Sequence, residues 1–167
     1  MTEIQKYRVL ESKSGFEIRD YEPHLLLTTL ESGSLSSAGN RAFSRLAAFI
    51  FGDNQKSQKI AMTAPVLEQP SSDGYSVSFV MPADMRLEDM PEPNPTLKIE
   101  QKPGGKFAAV EFSGLASEAL FKKKELSLKS TLSKLGIPFD ESAIYARYDG
   151  PWKPGFLRRN EVLIPLS

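Results

Sequence analysis

Segments in which apolar and polar side chains alternate occur along this chain in an order that repeats once, at a displacement of about 80 residues. Alternation with a period of two marks a half-buried strand, because successive side chains on extended backbone point to opposite faces. It occurs at 16–21 (FEIRDY), 75–81 (YSVSFVM) and 107–113 (FAAVEFS), and it puts Tyr75, Val77, Phe79 and Met81 on one face. Further strands are expected at 25–30, 58–66, 96–101, 143–149 and 160–166, with Pro65 and Pro165 near strand ends, where a missing N–H does least harm. Two segments have helical spacing instead. The first, 38–51, carries Phe43, Leu46, Ala47 and Ile50 as its apolar stripe, with Ser36 or Ser37 as N-cap and Gly52 as its stop. The second, 118–135, is opened by Ser117 and closed by Gly136 and Pro138, and Phe121, Leu128, Leu132 and Leu135 supply its stripe.

In chain order these elements are strand, strand, helix, strand, strand, and then the same again. The expected first strands start near 16 and 96, the second near 25 and 106, and the helices near 38 and 118. A first repeat over 7–89 and a second over 96–166 would then be joined by the proline-rich connector MPEPNP at 90–95. Two open half-sheets, each with one apolar face and exposed edges, bury both faces by pairing. The expected fold is therefore α+β: a distorted eight-stranded, mostly antiparallel β-barrel with two flanking helices and an internal pseudo-two-fold. The 167 residues form one domain, and a groove between helix and sheet is the natural place for a small molecule.

Composition narrows the chemistry. There is no cysteine, which removes disulfides, thiolate metal sites and thiol nucleophiles, and His24 is the single histidine. Lys and Arg number 21 and Asp and Glu 21, so the chain is neutral, a poor match for nucleic acid, whose binding depends on clustered cations. No window approaches the roughly 20 apolar residues needed to cross a bilayer. The polar start, MTEIQKYRVLESKSG, leads us to expect a cytoplasmic protein. Phosphate-binding glycine loops, GxSxG, HExxH, zinc-finger and calcium-loop patterns are all missing from the sequence.

Three stretches carry more than periodicity: GNRAFSRLAAFIFGDN with KIAMTAPV, then VSFVMP, then ARYDGPWKPGFLRRNEVLIPL. Together they resemble the SOUL family of heme-binding proteins, from about Tyr7 to Leu166. More distantly the chain resembles the effector-binding domains of the gyrase-inhibitor-like superfamily. The resemblance implies the same two-repeat barrel, and a non-covalent site for heme or a related porphyrin, held for buffering or transport without catalysis. In animal members the tetrapyrrole is thought to lie on an apolar surface involving the first helix, with basic side chains near its propionates. Carried over, that makes Phe43, Leu46, Ala47 and Ile50 the surface and Arg41 and Arg45 the propionate partners. Two basic positions of one animal branch fall on Asn40 and Ala48, which are uncharged. The axial histidine proposed for one branch of the family, in the segment matching IRDY, falls on Asp20, so a protein ligand to iron would have to be His24, beyond the turn at Glu22-Pro23, or the thioether of Met62.

The bland alternatives stand beside these. An amphipathic helix needs its stripe to dock on a sheet, Arg41 and Arg45 serve equally as a solvated face, His24 as a turn residue and Met62 as core filler. Trp152, in a Gly- and Pro-rich loop with Tyr145 and Tyr148 nearby, either stacks on a tetrapyrrole or staples the loop down. Glu111 and Glu161 interrupt apolar strands. They either pair with Arg147, Arg158 or Arg159, or sit in the groove to recognise a cation or act as a base, which would make the protein an effector-type binder or a hydrolase.

Overall fold

The computed structural model describes residues 2–150 and 152–167. Its main sheet contains β2 (Tyr7–Lys13), β3 (Phe16–Tyr21), β4 (His24–Ser32), β6 (Val66–Pro70), β7 (Gly74–Val80), β8 (Lys98–Lys102), β9 (Gly105–Phe112), β10 (Ile144–Arg147) and β11 (Asn160–Pro165). Two further short strands, β1 (Glu3–Ile4) and β5 (Thr63–Ala64), pair with each other in parallel. The order across the main sheet is β2-β3-β9-β11-β10-β6-β7-β4-β8, and every neighbouring pair is antiparallel.

Helices α1 (Leu35–Ile50) and α2 (Glu118–Lys134) cover one face of this sheet. Leu35, Ala38, Ala42, Leu46, Phe49 and Ile50 of α1 join Leu27, Val77 and Phe79 in the main core. Phe121, Leu128 and Leu132 of α2 join it beside Tyr145, Val162 and Ile164. Full burial of a side chain such as Leu46 contributes about 1.5–3 kcal/mol. The other face has a cluster of its own, Tyr21, Leu26, Leu67, Val80, Ala109, Ala146 and Leu163, which draws on seven strands and no helix. These seven strands are consecutive in the order, so the cluster is a continuous band across the curled sheet. The sheet curls without closing, since β2 and β8 at its ends have one partner each.

The α+β class and both helices agree with expectation, whereas the strand count and closure do not. Nine strands replace eight because β2 also joins the sheet. Six of its seven residues are exposed, so as an edge strand it lacks the alternation that would announce it. The strand expected at 58–66 divides around Pro65: residues 58–62 are not strand, β5 is two residues long, and the longer piece is β6. Ser34, three residues before Ser37, caps α1 by accepting the Ser37 N–H at 3.3 Å, while Ser117 caps α2 as expected.

α1 packs chiefly on β4 and β7, and α2 on β11. Between them Glu68 of β6 and Tyr145 of β10 are covered, while Val66 of β6 and Arg147 of β10 keep partial exposure and form the floor of a narrow groove.

Candidate functional site

Pairing across the middle of the sheet sets Arg147 of β10, Val66 of β6 and Phe79 of β7 side by side, with Tyr145, Glu68 and Val77 in the next row. All six point toward the helices, because Tyr145, Val77 and Phe79 belong to the core beneath them and the others share their parity. Phe43 of α1 stands edge-on to Phe79 with ring centroids 5.4 Å apart, and 44% of it remains exposed. Val66 and Met62 are half-buried against the same core. The groove thus has an apolar floor and wall and carries a cation, Arg147, whose side chain is 31% exposed.

Glu68 lies under this floor, 1% exposed. Nε of Arg147 approaches Glu68 Oε1 to 2.5 Å, but its N–H is not aimed along that line, and Glu68 Oε2 has no hydrogen-bond partner among the described residues. Oε2 faces the backbone of α1 at Gly39, where a Cβ would come within 2.9 Å of it, so glycine is what admits the carboxylate. Burial pushes the Glu68 carboxyl up to about 6, against the pull of Arg147. Two tyrosines tie α2 to the sheet next to it. Tyr145 stacks on Phe121 with centroids 4.7 Å apart and donates its hydroxyl to Glu125 at 2.6 Å, and Tyr75 donates to Glu118. Burial, reinforced by these carboxylates, raises both tyrosine hydroxyls above their ordinary value.

The residues singled out from sequence are distributed over several places. Leu46, Ala47 and Ile50 are buried in the core, behind Phe43. Arg41 and Arg45 lie on the opposite flank of α1 from Phe43, since two residues turn a helix by about 200°. Arg45 pairs with Glu31 at 2.8 Å and donates to the Thr96 carbonyl at 3.2 Å, and Arg41 donates to the Ser32 carbonyl. Trp152 is 83% exposed, with its indole folded against Gly150. His24 opens β4 with the parity of Leu26, away from the helices. Its Nδ1–H donates to the Glu22 carbonyl at 2.8 Å, which leaves Nε2 as the acceptor. Burial lowers its pKa; the Glu22 carbonyl opposes the shift and Lys102 adds to it. With Pro23, Met81, Met85 and Lys102 it lines a cleft of about 330 Å³, separate from the groove.

Glu161 and Glu111 face each other across β11 and β9 on the helix-free side. Glu161 is fully buried and saturated: Arg19 donates to both its oxygens at 2.8 Å, Arg159 to Oε2 at 2.9 Å, and the Tyr148 hydroxyl to Oε1 at 2.8 Å. Burial alone would push this carboxyl up, but Arg19 and Arg159 hold it below the ordinary range. Glu111 is largely exposed and pairs with Arg159 at 3.0 Å. Pairing with Arg159 is one of the two roles anticipated for these carboxylates. Arg19, Glu68 and the pairing of Glu68 with Arg147 are not visible in the sequence.

Known proteins agree with this architecture. In Homo sapiens, Heme-binding protein 2 is 34% identical over 158 residues, which span 89% of this chain and 76% of that one. Heme-binding protein 1 of Xenopus tropicalis is 28% identical over 156 residues, spanning 89% and 82%. Among solved structures, the EcmrR C-terminal domain superposes with a TM-score of 0.69 at 11% identity, covering 96% of this chain and 98% of that one. A structure of SAV2435 bound to tetraphenylphosphonium does so with a TM-score of 0.51 at 12% identity, covering 91% and 93%. Likenesses at such identities establish the fold alone. The family model described as SOUL heme-binding protein matches residues 2–165, and the chain belongs to that family.

Proposed function

We propose that the protein binds heme or a related tetrapyrrole, without covalent attachment, in the groove between α1 and α2, and that it buffers or carries this ligand rather than transforming it. The observation that carries this reading is the pair Val66 and Arg147, partly exposed between the helices beside buried Phe79 and bordered by half-exposed Phe43, in a chain of a family described as heme-binding. These residues fit the group: an apolar floor and wall for the macrocycle, and a guanidinium for a propionate. Leu46, Ala47 and Ile50 back the wall. Arg41 and Arg45 serve only a propionate that passes round α1, and Trp152 only a ring that extends beyond β10. His24 lies on the other face, so burial and Arg147 hold the ligand rather than a histidine–iron bond.

The test is titration with hemin, followed by the Soret band and the emission of Trp152. Saturable binding is expected, with affinity lowered about ten-fold or more in Phe43→Ala and Arg147→Ala and a spectrum unchanged in His24→Ala. Loose, non-saturating uptake, like that of an unrelated carrier protein, would overturn the proposal.

A second reading draws on Glu68 Oε2, the buried carboxylate oxygen without a partner. A lipophilic cation entering the groove would displace Arg147 and put its charge beside the Glu68 carboxylate. Tetraphenylphosphonium is the probe; binding that survives Glu68→Gln would remove the basis for this reading.

We infer too that the domain is a duplication, 7–89 and 96–166. Exchanging β3, β4, α1, β6 and β7 for β8, β9, α2, β10 and β11 turns the order β3-β9-β11-β10-β6-β7-β4-β8 into itself read backwards. An approximate two-fold between β10 and β6 has that effect. It makes eight strands the symmetrical part, β2 an addition at one edge, and the groove the seam of the two halves.

A further inference from the structure

Four large apolar side chains project from two neighbouring links. Leu115, between β9 and α2, is 66% exposed; Trp152, Phe156 and Leu157, between β10 and β11, are 83%, 76% and 54% exposed. The links touch. The Gly114 N–H donates to the Gly155 carbonyl at 2.9 Å, and a Cβ on Gly155 would stand 3.2 Å from the Leu115 side chain. The second link is also braced from within: Asp149 accepts the Arg159 backbone N–H at 2.6 Å and pairs with Lys153 at 3.1 Å, and the Leu157 N–H donates to the Pro154 carbonyl at 2.9 Å. The apolar side chains are thus held outward by a built turn. Water contact on so many of them together is unfavourable, and clusters of this kind mark contact surfaces.

The charge around them is one-sided. Segments 113–125 and 148–158 contain five cations, Lys122, Lys123, Lys124, Lys153 and Arg158, against three carboxylates, Glu118, Glu125 and Asp149, of which Glu125 pairs with Lys122 at 3.6 Å. The whole chain is neutral, so this excess is local. The lysine run occupies the second turn of α2, one turn after the Leu115 link.

We propose that this corner docks on the surface of an anionic lipid bilayer, with Leu115, Trp152, Phe156 and Leu157 entering the headgroup layer and the lysines facing lipid phosphates. Tryptophan is at home at that depth, because its ring is apolar and its N–H finds water or carbonyls there. Lysines near the surface add attraction that depends on anionic lipid and is screened by salt. Among the described residues no helix is long and apolar enough to cross a membrane, so the contact is peripheral.

Trp152 is the single tryptophan, so its emission reports on this corner directly. With vesicles of phosphatidylcholine and phosphatidylserine, the emission moves to shorter wavelength and the protein co-sediments; phosphatidylcholine vesicles alone produce neither. Phe156→Ser with Leu157→Ser weakens vesicle binding about ten-fold or more, as does Lys122→Glu with Lys123→Glu. Three outcomes overturn the proposal: no shift with either vesicle, equal binding to both, or sedimentation velocity showing self-association of the free protein that the Phe156→Ser, Leu157→Ser variant loses. The last gives the surface to a second copy of this chain. The arms that use the unaltered protein decide the matter even if a variant fails to fold.

Discussion

Glu161 and Glu68 are carboxylates on interior strands of the same sheet, at 0% and 1% exposure, yet their surroundings treat them in opposite ways. Glu161 accepts from two guanidiniums and a tyrosine hydroxyl, and Arg19 is fixed in turn by Tyr21 and Glu17. Glu68 has one poorly aligned arginine and an oxygen with no partner among the described residues. The difference lies in what covers each group. On the helix-free face, long polar side chains from β2, β3 and the segment 148–159 converge on Glu161. Over Glu68 lies the second turn of α1 at Gly39, where the N–H groups are already spent on carbonyls four residues back, from Ala38 to Ser34 onward, and have nothing to donate. The cost of burying a charge is set by the donors within reach rather than by depth.

The largest expected effect follows from removing the charge that is well served. Glu161→Gln strands Arg19 in the interior and should cost about 3–5 kcal/mol of unfolding free energy in urea titrations. That is a large share of the roughly 5–15 kcal/mol available to a domain. Glu68→Gln, the same change at the same depth, should cost little or be stabilising at neutral pH. Equal losses from the two would break the comparison.

Acidity separates them next, with opposite signs. Glu161, held below its ordinary value, contributes stability that is present above about pH 4.5 and is lost as the pH falls through its folded pKa. Glu68, raised from 4.5 to about 6, keeps a proton that the unfolded chain has released. Its share of the stability is therefore greatest below 4.5 and declines by about 2 kcal/mol as the pH rises to 6. Unfolding measured from pH 4 to 8 should show Glu68→Gln gaining on the unaltered protein by that amount across the window. Parallel curves would remove the assigned shift.

The same pair explains which parts of the molecule are legible in its sequence. Both helices announce themselves by apolar spacing, and α2 by its Ser117 cap, whereas α1 starts earlier than expected, at the Ser34 cap, and its observed core uses Leu35, Ala38 and Ala42 and turns Phe43 out to the flank. Glu161 is conspicuous as a charge inside an apolar strand, and Arg159 is near enough in sequence to suggest itself as partner. Arg19 is not, since 142 residues separate it from Glu161. Glu68 is hidden for a different reason. A buried acid at the centre of VLEQP breaks the alternation that would have identified β6, so the residue that gives the groove its chemistry also conceals the strand beneath it. β2 is hidden because six of its seven residues are exposed and only Tyr7 packs against the sheet.

A smaller effect tests whether Gly39 exists for Glu68. Alanine inside a helix is favoured over glycine by about 1 kcal/mol, and Gly39→Ala in an unopposed helix would gain that amount. Here the added Cβ would come within 2.9 Å of Glu68 Oε2, so the gain should vanish in the unaltered protein and return in a Glu68→Ala background. The double-mutant cycle should give a coupling of about 1 kcal/mol. A coupling near zero would mean that α1 is free to move off the carboxylate.

The smallest effect is expected at Glu111, which makes it the strictest control. Glu111 stands directly opposite Glu161 on the same face and shares Arg159 with it, but its side chain is 58% exposed. Losing the pair at 3.0 Å removes an attraction that water already screens, and it relieves the opposition of two like charges across adjacent strands. Glu111→Gln should change unfolding free energy by less than about 0.5 kcal/mol, against several for Glu161→Gln one strand away. Because residue type, strand register and arginine partner are shared, the contrast isolates enclosure together with Arg19. If Glu111→Gln proved as costly, the stabilisation would reside in Arg159, and the comparison with Glu68 would have to be redrawn around the arginines.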